Sequence, residues 1–184
     1  IILKLIGSQG EKNDEKLSID QLKTLITDGM TKTSIDRQKI MMGVLDLGNI
    51  TIEDIMLPHN EIIGIDINNS NKNNRKIIEG NFHSSLPVYE DVLDNIKGVL
   101  NLNTFLKEID LSSYDNQLIK KYMNKPYFIP EKTTLSQQLV EFKSNNQKLG
   151  FAVDEYGNIQ GLISIDDIFE EIVGEEREAG VKSQ

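Results

Sequence analysis

FAVDEYGNIQGLISIDDIFEEIVG, residues 151–174, sets two apolar runs around a polar turn and then changes its period. Phe151, Ala152 and Val153 form the first run, Asp154 to Asn158 the turn, and Ile159 to Ile163 the second run, which is the pattern of a β-hairpin. Ser164 stands three residues before Asp167, the spacing of a capping box, and Ile165, Ile168, Phe169, Ile172 and Val173 then recur at helical spacing. The stretch predicts a hairpin that feeds a helix starting at about Ile165 through a tight corner.

Such a corner has two uses. The first turn of a helix presents unpaired backbone N–H groups and partial positive charge, which suit an anionic or hydroxylated ligand. Gly161, Ser164 and Asp167 form a Gly-x-x-Ser-x-x-Asp pattern here. Gly161 would let a ligand approach the backbone, Ser164 would donate to an anionic oxygen, and the Asp167 carboxylate would accept two hydrogen bonds from a vicinal diol such as ribose. Helix capping alone also accounts for Ser164 and Asp167, and both roles stand open on the residues by themselves.

Working outward, the corner has an earlier echo. Asn95-Ile-Lys-Gly-Val-Leu100 repeats as Asn158-Ile-Gln-Gly-Leu-Ile163, Phe105 to Ile109 repeats as Ile168 to Ile172, and Met56 in IEDIMLP repeats as Met123 in IKKYMNKP. Two copies of one small unit are expected. Each reads as a short helix or turn ending in Met, a short extended segment (Glu61 to Ile65; Tyr127 to Pro130), a helix (Lys72 to Glu79; Thr134 to Lys143), a strand pair and a final helix. The predicted fold class is α/β (α+β), with two pseudo-twofold-related small sheets flanked by helices and a cleft between them. At the first corner Asn101 stands where Ser164 stands and Thr104 where Asp167 stands, so the charged diol acceptor exists in the second copy only.

Ahead of the repeat, Ile1 to Ile6 reads as the end of an apolar or amphipathic segment and Gly7 to Lys16 as a polar linker. Leu17 to Met30 reads as a short amphipathic helix with a Ser18–Gln21 capping box. Ser34 to Asp46 reads as a second, with Ile35, Ile40, Met41, Val44 and Leu45 on one face for core or dimer packing.

Composition excludes several function classes. A net charge of −9 argues against a general nucleic-acid binder, which needs clustered Lys and Arg. The 184 residues contain no cysteine, which removes disulfides and thiolate metal sites and fits a reducing compartment. No apolar run reaches the length of a membrane span and no signal-peptide pattern is present, so this fragment is expected to be soluble; its start at IILKLIG suggests a piece of something longer. His59 and His83, the only histidines, have no metal-site spacing, and neither a Gly-x-Ser-x-Gly elbow nor a Walker loop occurs, so no catalytic residue and no metal site are assigned. The acidic run Asp166, Asp167, Glu170, Glu171, Glu175, Glu176 and Glu178 reads first as a solvated helix face.

The stretches Val153 to Glu175, Thr51 to Pro58, Leu86 to Leu100 and Pro126 to Phe142 resemble the CBS-domain pair, or Bateman module, of the CorB/CorC group, HlyC-like and CNNM-related magnesium and cobalt transport proteins; the likeness spans about Ile40 to Glu175. It implies a juxtamembrane helical linker over 1–46, a first CBS motif over 47–112, a second over 113–176, and a tail, 177–184, leading to a further domain. It implies an adenine-nucleotide-binding regulatory module, not an enzyme, in which ATP or AMP, with Mg²⁺ as a companion, shifts the arrangement of the domains and of a homodimer. The membrane domain of the same full-length protein would be its other partner, and the module would lie on the cytoplasmic face of the bacterial inner membrane. The alternative is a ligand-free dimerisation and docking scaffold. The family pattern places the ribose-binding Asp at Asp167 and a Ser or Thr at Ser164. Tyr127, Phe128, Ile129, Pro130, Ala152 and Val153 would wall the adenine. The pattern usually carries Arg where this chain has Ser85. Asp166 and Asp167 oppose an anion, so phosphates would lean toward Ser164 and a Lys that the sequence does not single out.

Overall fold

The computed structural model describes residues 18–29, 35–81, 83–110 and 115–174. The Ile1–Ile6 segment, the Gly7–Lys16 linker, the Ser34 cap, the end of the acidic run and the 177–184 tail lie outside the described residues. The chain runs α1 (Ile19–Gly29), α2 (Ile35–Asp46), α3 (Ile52–Ile55), β1 (Leu57–Pro58), β2 (Ile65–Asp66), α4 (Asn71–Gly80), β3 (Ser85–Glu90), β4 (Val92–Asn101) and α5 (Leu102–Glu108). It continues through α6 (Asn116–Tyr122), β5 (Met123–Asn124), β6 (Phe128–Pro130), α7 (Leu135–Ser144), β7 (Leu149–Val153), β8 (Ile159–Ser164) and α8 (Ile165–Val173).

The mixed α/β architecture and the two small sheets are as the sequence implies. Their boundaries are not those of the two copies. One sheet has the order β1-β8-β7-β6 and the other β2-β3-β4-β5. Each therefore takes three strands from one copy and an edge strand from the other. Leu57 lies opposite Leu162 and Pro58 opposite Gly161. The same pairing recurs in the other sheet as Asn124 opposite Val99 and Met123 opposite Leu100. The short helices follow their strands: Ile52 and Ile55 of α3 enter the core built on Phe142, Ile163 and Ile168, while Ile119 of α6 enters the core built on Val88, Leu100 and Phe105.

Glycine permits this exchange. A Cβ on Gly161 would lie 2.6 Å from the Leu57 carbonyl oxygen and 2.6 Å from the Met56 sulfur. On Gly98 it would lie 2.5 Å from the Asn124 carbonyl oxygen. Gly161, expected from the sequence to admit a ligand, thus admits the main chain of β1 and is buried beneath it.

Other expectations shift in detail. The segment Glu61 to Ile65 is not continuously extended: His59–Glu61 is one turn of 3-10 helix and the strand is only Ile65–Asp66. The Ser18–Gln21 box forms as read, the Ser18 amide donating to Gln21 Oε1 at 2.7 Å. The apolar stripe of α2 does not enter a core, because Ile35, Ile40, Met41 and Val44 are all exposed. α2 instead lies on α8 through Gly43, where an added Cβ would come within 2.3 Å of the Ile172 carbonyl oxygen. α1 is tied to α2 by the Lys23–Asp46 ion pair. On α8 itself Ile168 is fully buried, whereas Phe169 and Val173 face solvent.

The β7–β8 turn is organised by Asp154. Its Oδ1 accepts the amides of Tyr156 at 2.9 Å and Asn158 at 2.8 Å. Its Oδ2 accepts the side-chain amides of Asn158 at 2.8 Å and Gln160 at 3.0 Å. Gly157 takes the positive φ of 85° that closes the turn. The Asn158 side chain, joined by these other donors, holds the Asp154 carboxyl below its ordinary value.

Two outcomes follow. Gly98→Ala and Gly161→Ala should each lower stability by about 1–3 kcal/mol, the usual range for overpacking, whereas Gly80→Ala, with open space at its Cβ, should be neutral or slightly stabilising; urea midpoints decide. Asp154 has a folded pKa below its unfolded value of about 3.9, so its stabilising effect is complete above that value and is lost as pH falls through the folded one. Parent and Asp154→Ala melting temperatures should differ at neutral pH and converge toward pH 2, a difference that thermal melts across pH will show.

Candidate functional site

A cleft of about 650 Å³ opens between the two halves. Leu57 and Leu162, paired in one sheet, line it with Lys148, Leu149 and the start of α8; Glu61, Ile63 and the His83–Pro87 segment complete the lining. Of the residues singled out in the sequence, Ser164 and Asp167 lie in this cleft. The capping box is formed: the Asp167 amide donates to Ser164 Oγ at 3.2 Å. In return, the Ser164 amide and hydroxyl both donate to Asp167 Oδ2, at 2.6 Å and 2.7 Å. Both donors choose the same carboxylate oxygen. Oδ1 keeps its lone pairs free of any described donor, so the cap and a ligand do not compete for the whole group.

The expected adenine walls are elsewhere. In the order β1-β8-β7-β6, β6 is the edge farthest from β1, two strands away from the corner on β8. Ile129 and Ala152 are fully built into the core, and Tyr127 leans on Phe142 with ring centroids 6.1 Å apart. Phe128 packs on Phe151 at 5.8 Å, and with Pro130 lies on the exposed edge; Val153 closes the same strand pair. None of these six lines the cleft, nor does Gly161. The apolar surface there comes from Leu57, Ile63, Leu86, Leu149, Leu162 and Ile165 instead.

At the first corner Asn101 caps α5, its Oδ1 accepting the Thr104 amide at 2.9 Å. Neither residue lines the cleft, so the two corners are not equivalent in the ligand they can meet. Sequence reading missed Lys148, although the fold marks it. Its carbonyl accepts the Ile165 amide at 2.9 Å, as the Ser84 carbonyl accepts the Leu102 amide at 2.9 Å in the other half. Glu61, Asp166, Asp167 and Glu170 set four carboxylates against this one lysine. No group of three or more His, Cys, Asp or Glu suited to a metal ion occurs among the described residues, and no described helix is long and apolar enough to cross a membrane.

Comparison with known proteins places this geometry. The CBS domain family matches residues 119–174. The UPF0053 inner membrane protein YfjD of Escherichia coli is 37% identical over 160 residues, 86% of this chain and 37% of that protein. A solved CBS-domain pair with bound AMP from Klebsiella pneumoniae is 39% identical, with a TM-score of 0.62, over 68% of this chain and 99% of that one. The CBS domain of a bacterial CNNM/CorC family Mg²⁺ transporter in complex with ATP is 27% identical, with a TM-score of 0.66, over 76% of this chain and 99% of that one. The chain is a CBS-domain pair, similar to the CBS domains of the CNNM/CorC family. The resemblance carried by VDEYG…EEIVGE is borne out, in family and in fold. As a CBS pair the chain covers almost the whole of those solved domains but little more than a third of YfjD.

Removing the cap hydroxyl with Ser164→Ala should cost about 1 kcal/mol, the usual loss for an N-cap. The matching change at the first corner, Asn101→Ala, should cost about the same; thermal unfolding of the two single variants checks both.

Proposed function

We propose that this CBS pair is the adenine-nucleotide-sensing regulatory module of a membrane divalent-cation (Mg²⁺/Co²⁺) transport protein. The observation that carries the reading is the free Asp167 Oδ1 beside a formed capping box, facing a cleft with apolar walls. A ribose diol can donate to Oδ1 while Oδ2 keeps the helix end closed. Leu57, Ile63 and Leu149 offer the apolar surface against which an adenine ring can lie. The AMP carried by the Klebsiella CBS pair and the ATP carried by the CNNM/CorC domain support an adenine nucleotide as the ligand. The nucleotide is AMP or ATP, the latter with Mg²⁺ to offset the acidic rim. It acts as an effector rather than a substrate.

The exposed Phe169 and Val173 of α8, and Leu106 at the matching place on α5, support a homodimer formed through the helices of the pair. The membrane domain of the full-length protein is the second partner, with the module on the cytoplasmic face of the inner membrane; the inner-membrane relative supports this. The nucleotide shifts that assembly only if it binds one arrangement better than another, and a coupling of about 1–3 kcal/mol is typical. A ligand-free docking scaffold is the competing reading, favoured by Ser85 at the place where the family pattern has Arg.

Calorimetric titration with ATP and AMP, each with and without Mg²⁺, separates the two. Saturable binding near one nucleotide per chain, lost in Asp167→Ala with the fold intact, is expected. No binding at millimolar nucleotide supports the scaffold, and undiminished binding by Asp167→Ala would put the site elsewhere.

A further inference from the structure

A ribose contact leaves three features of the cleft unused: its lysine, its acidic rim and its paired serines. Lys148 is the one Lys or Arg among the described residues that line the cleft. The Ile165 amide, donating to its carbonyl at 2.9 Å, fixes its main chain against the first residue of α8. Asp167 closes the same helix end. The Lys148 ammonium makes no ion pair with a described residue. In the first half the equivalent carbonyl belongs to Ser84, so the lysine has no lysine counterpart there, and Ser84 and Ser85 line the cleft in its place.

A nucleoside whose diol rests on Asp167 carries its 5′-oxygen one sugar ring away, within the span of a lysine side chain rooted beside Ile165. One phosphate there meets an ammonium and hydroxyl donors, a charge-assisted arrangement. Each further phosphate adds negative charge among Glu61, Asp166 and Glu170, with no second lysine or arginine lining the cleft among the described residues. We infer that Lys148 is the phosphate anchor of this cleft and that it makes the site selective for a nucleoside monophosphate over the metal-free triphosphate. This rests on the nucleotide reading proposed above. It adds a specificity-determining residue and ranks the two candidate nucleotides.

The test is calorimetric titration of the parent chain, Lys148→Ala and Lys148→Arg with adenosine, AMP and ATP, all in EDTA. The parent should bind AMP about tenfold or more tightly than adenosine, the scale of one hydrogen bond to a charged group, and more tightly than ATP. Lys148→Ala should bring AMP to the affinity of adenosine and leave adenosine unchanged, and Lys148→Arg should retain the AMP preference. AMP binding that survives Lys148→Ala unchanged, or metal-free ATP binding above AMP in the parent, overturns the inference while leaving the nucleotide site standing. Failure of both adenosine and AMP to bind the parent overturns the site and the anchor together. Asp167→Ala should lose adenosine as well as AMP, a pattern that the Lys148 variants do not share.

Discussion

The close approach of main chain to main chain at Gly161 and Gly98 is the constraint on which the rest of the structure depends. At each of these points a strand from one copy lies against the hairpin of the other, with a carbonyl oxygen where a side chain would begin. Two-stranded hairpins are marginal alone, and each copy has a hairpin, one parallel strand and three short helices. Exchange of β1 and β5 gives each sheet a fourth strand, and the helices that precede those strands, α3 and α6, supply fully buried isoleucines to each core. Neither half closes its own core. The cleft follows from the same exchange: Leu57, on the exchanged strand beside Leu162, lines it together with the His83–Pro87 segment of the first half and the start of α8.

Much of this was legible in the sequence. The repeat, the hairpin-to-helix corner and the Ser164–Asp167 box all depend on local spacing, which a sequence displays directly, and each is found where it was read. What spacing does not display is which strand lies beside which. Ile129 and Ala152 read equally well as adenine walls or as core, and sheet order decided for core by placing β6 two strands from the corner. Gly161 read as a place for a ligand to approach; the approaching group is the main chain of β1. The stripe on α2, read for core or dimer packing, enters no core of this chain. Ile35, Ile40, Met41 and Val44 stay exposed, and the close contact that seats the helix is Gly43, a residue without a side chain that no hydrophobic pattern can register. Lys148 was invisible for a related reason. It precedes β7 in a polar stretch, and its standing comes from one backbone hydrogen bond to Ile165, matched by Ser84 and Leu102 in the other half.

Asp167 shows how a structural role can leave room for a ligand role in one carboxylate. Capping takes the Ser164 amide and hydroxyl onto Oδ2 and leaves Oδ1 to the cleft. A carboxylate has about four acceptor sites, so capping and diol binding are not alternatives in the way a choice between readings of the sequence suggested. The first corner cannot divide its labour this way. Asn101 spends its Oδ1 on the Thr104 amide, and Thr104 has no carboxylate, so the pseudo-twofold symmetry of the backbone ends at the level of side-chain chemistry. The charges are equally one-sided, because the corner's own first turn contributes Asp166 and Asp167 to the cleft while Lys148 answers from the residue just before β7.

α8 joins the two ends of the structure. Its N-terminus forms the corner of the cleft, and nine residues later, about 13 Å along the axis at 1.5 Å per residue, Gly174 ends it in a left-handed cap. The main chain of Ile172, in the last turn, is the surface on which Gly43 of α2 rests. A contact with no side chain between two backbones has little freedom to absorb displacement, since there is no rotamer to change. A tilt of α8 at the cleft is therefore passed to α2, or breaks its seat, instead of dissipating in side-chain rearrangement. This geometry supplies a path but no direction. A ligand bound at Ser164 and Asp167 moves α2 only in so far as it favours one orientation of α8 over another. Any such discrimination would reside in the cleft, where Asp167, already committed to holding the helix end by one oxygen, would pass to the helix whatever its other oxygen bound.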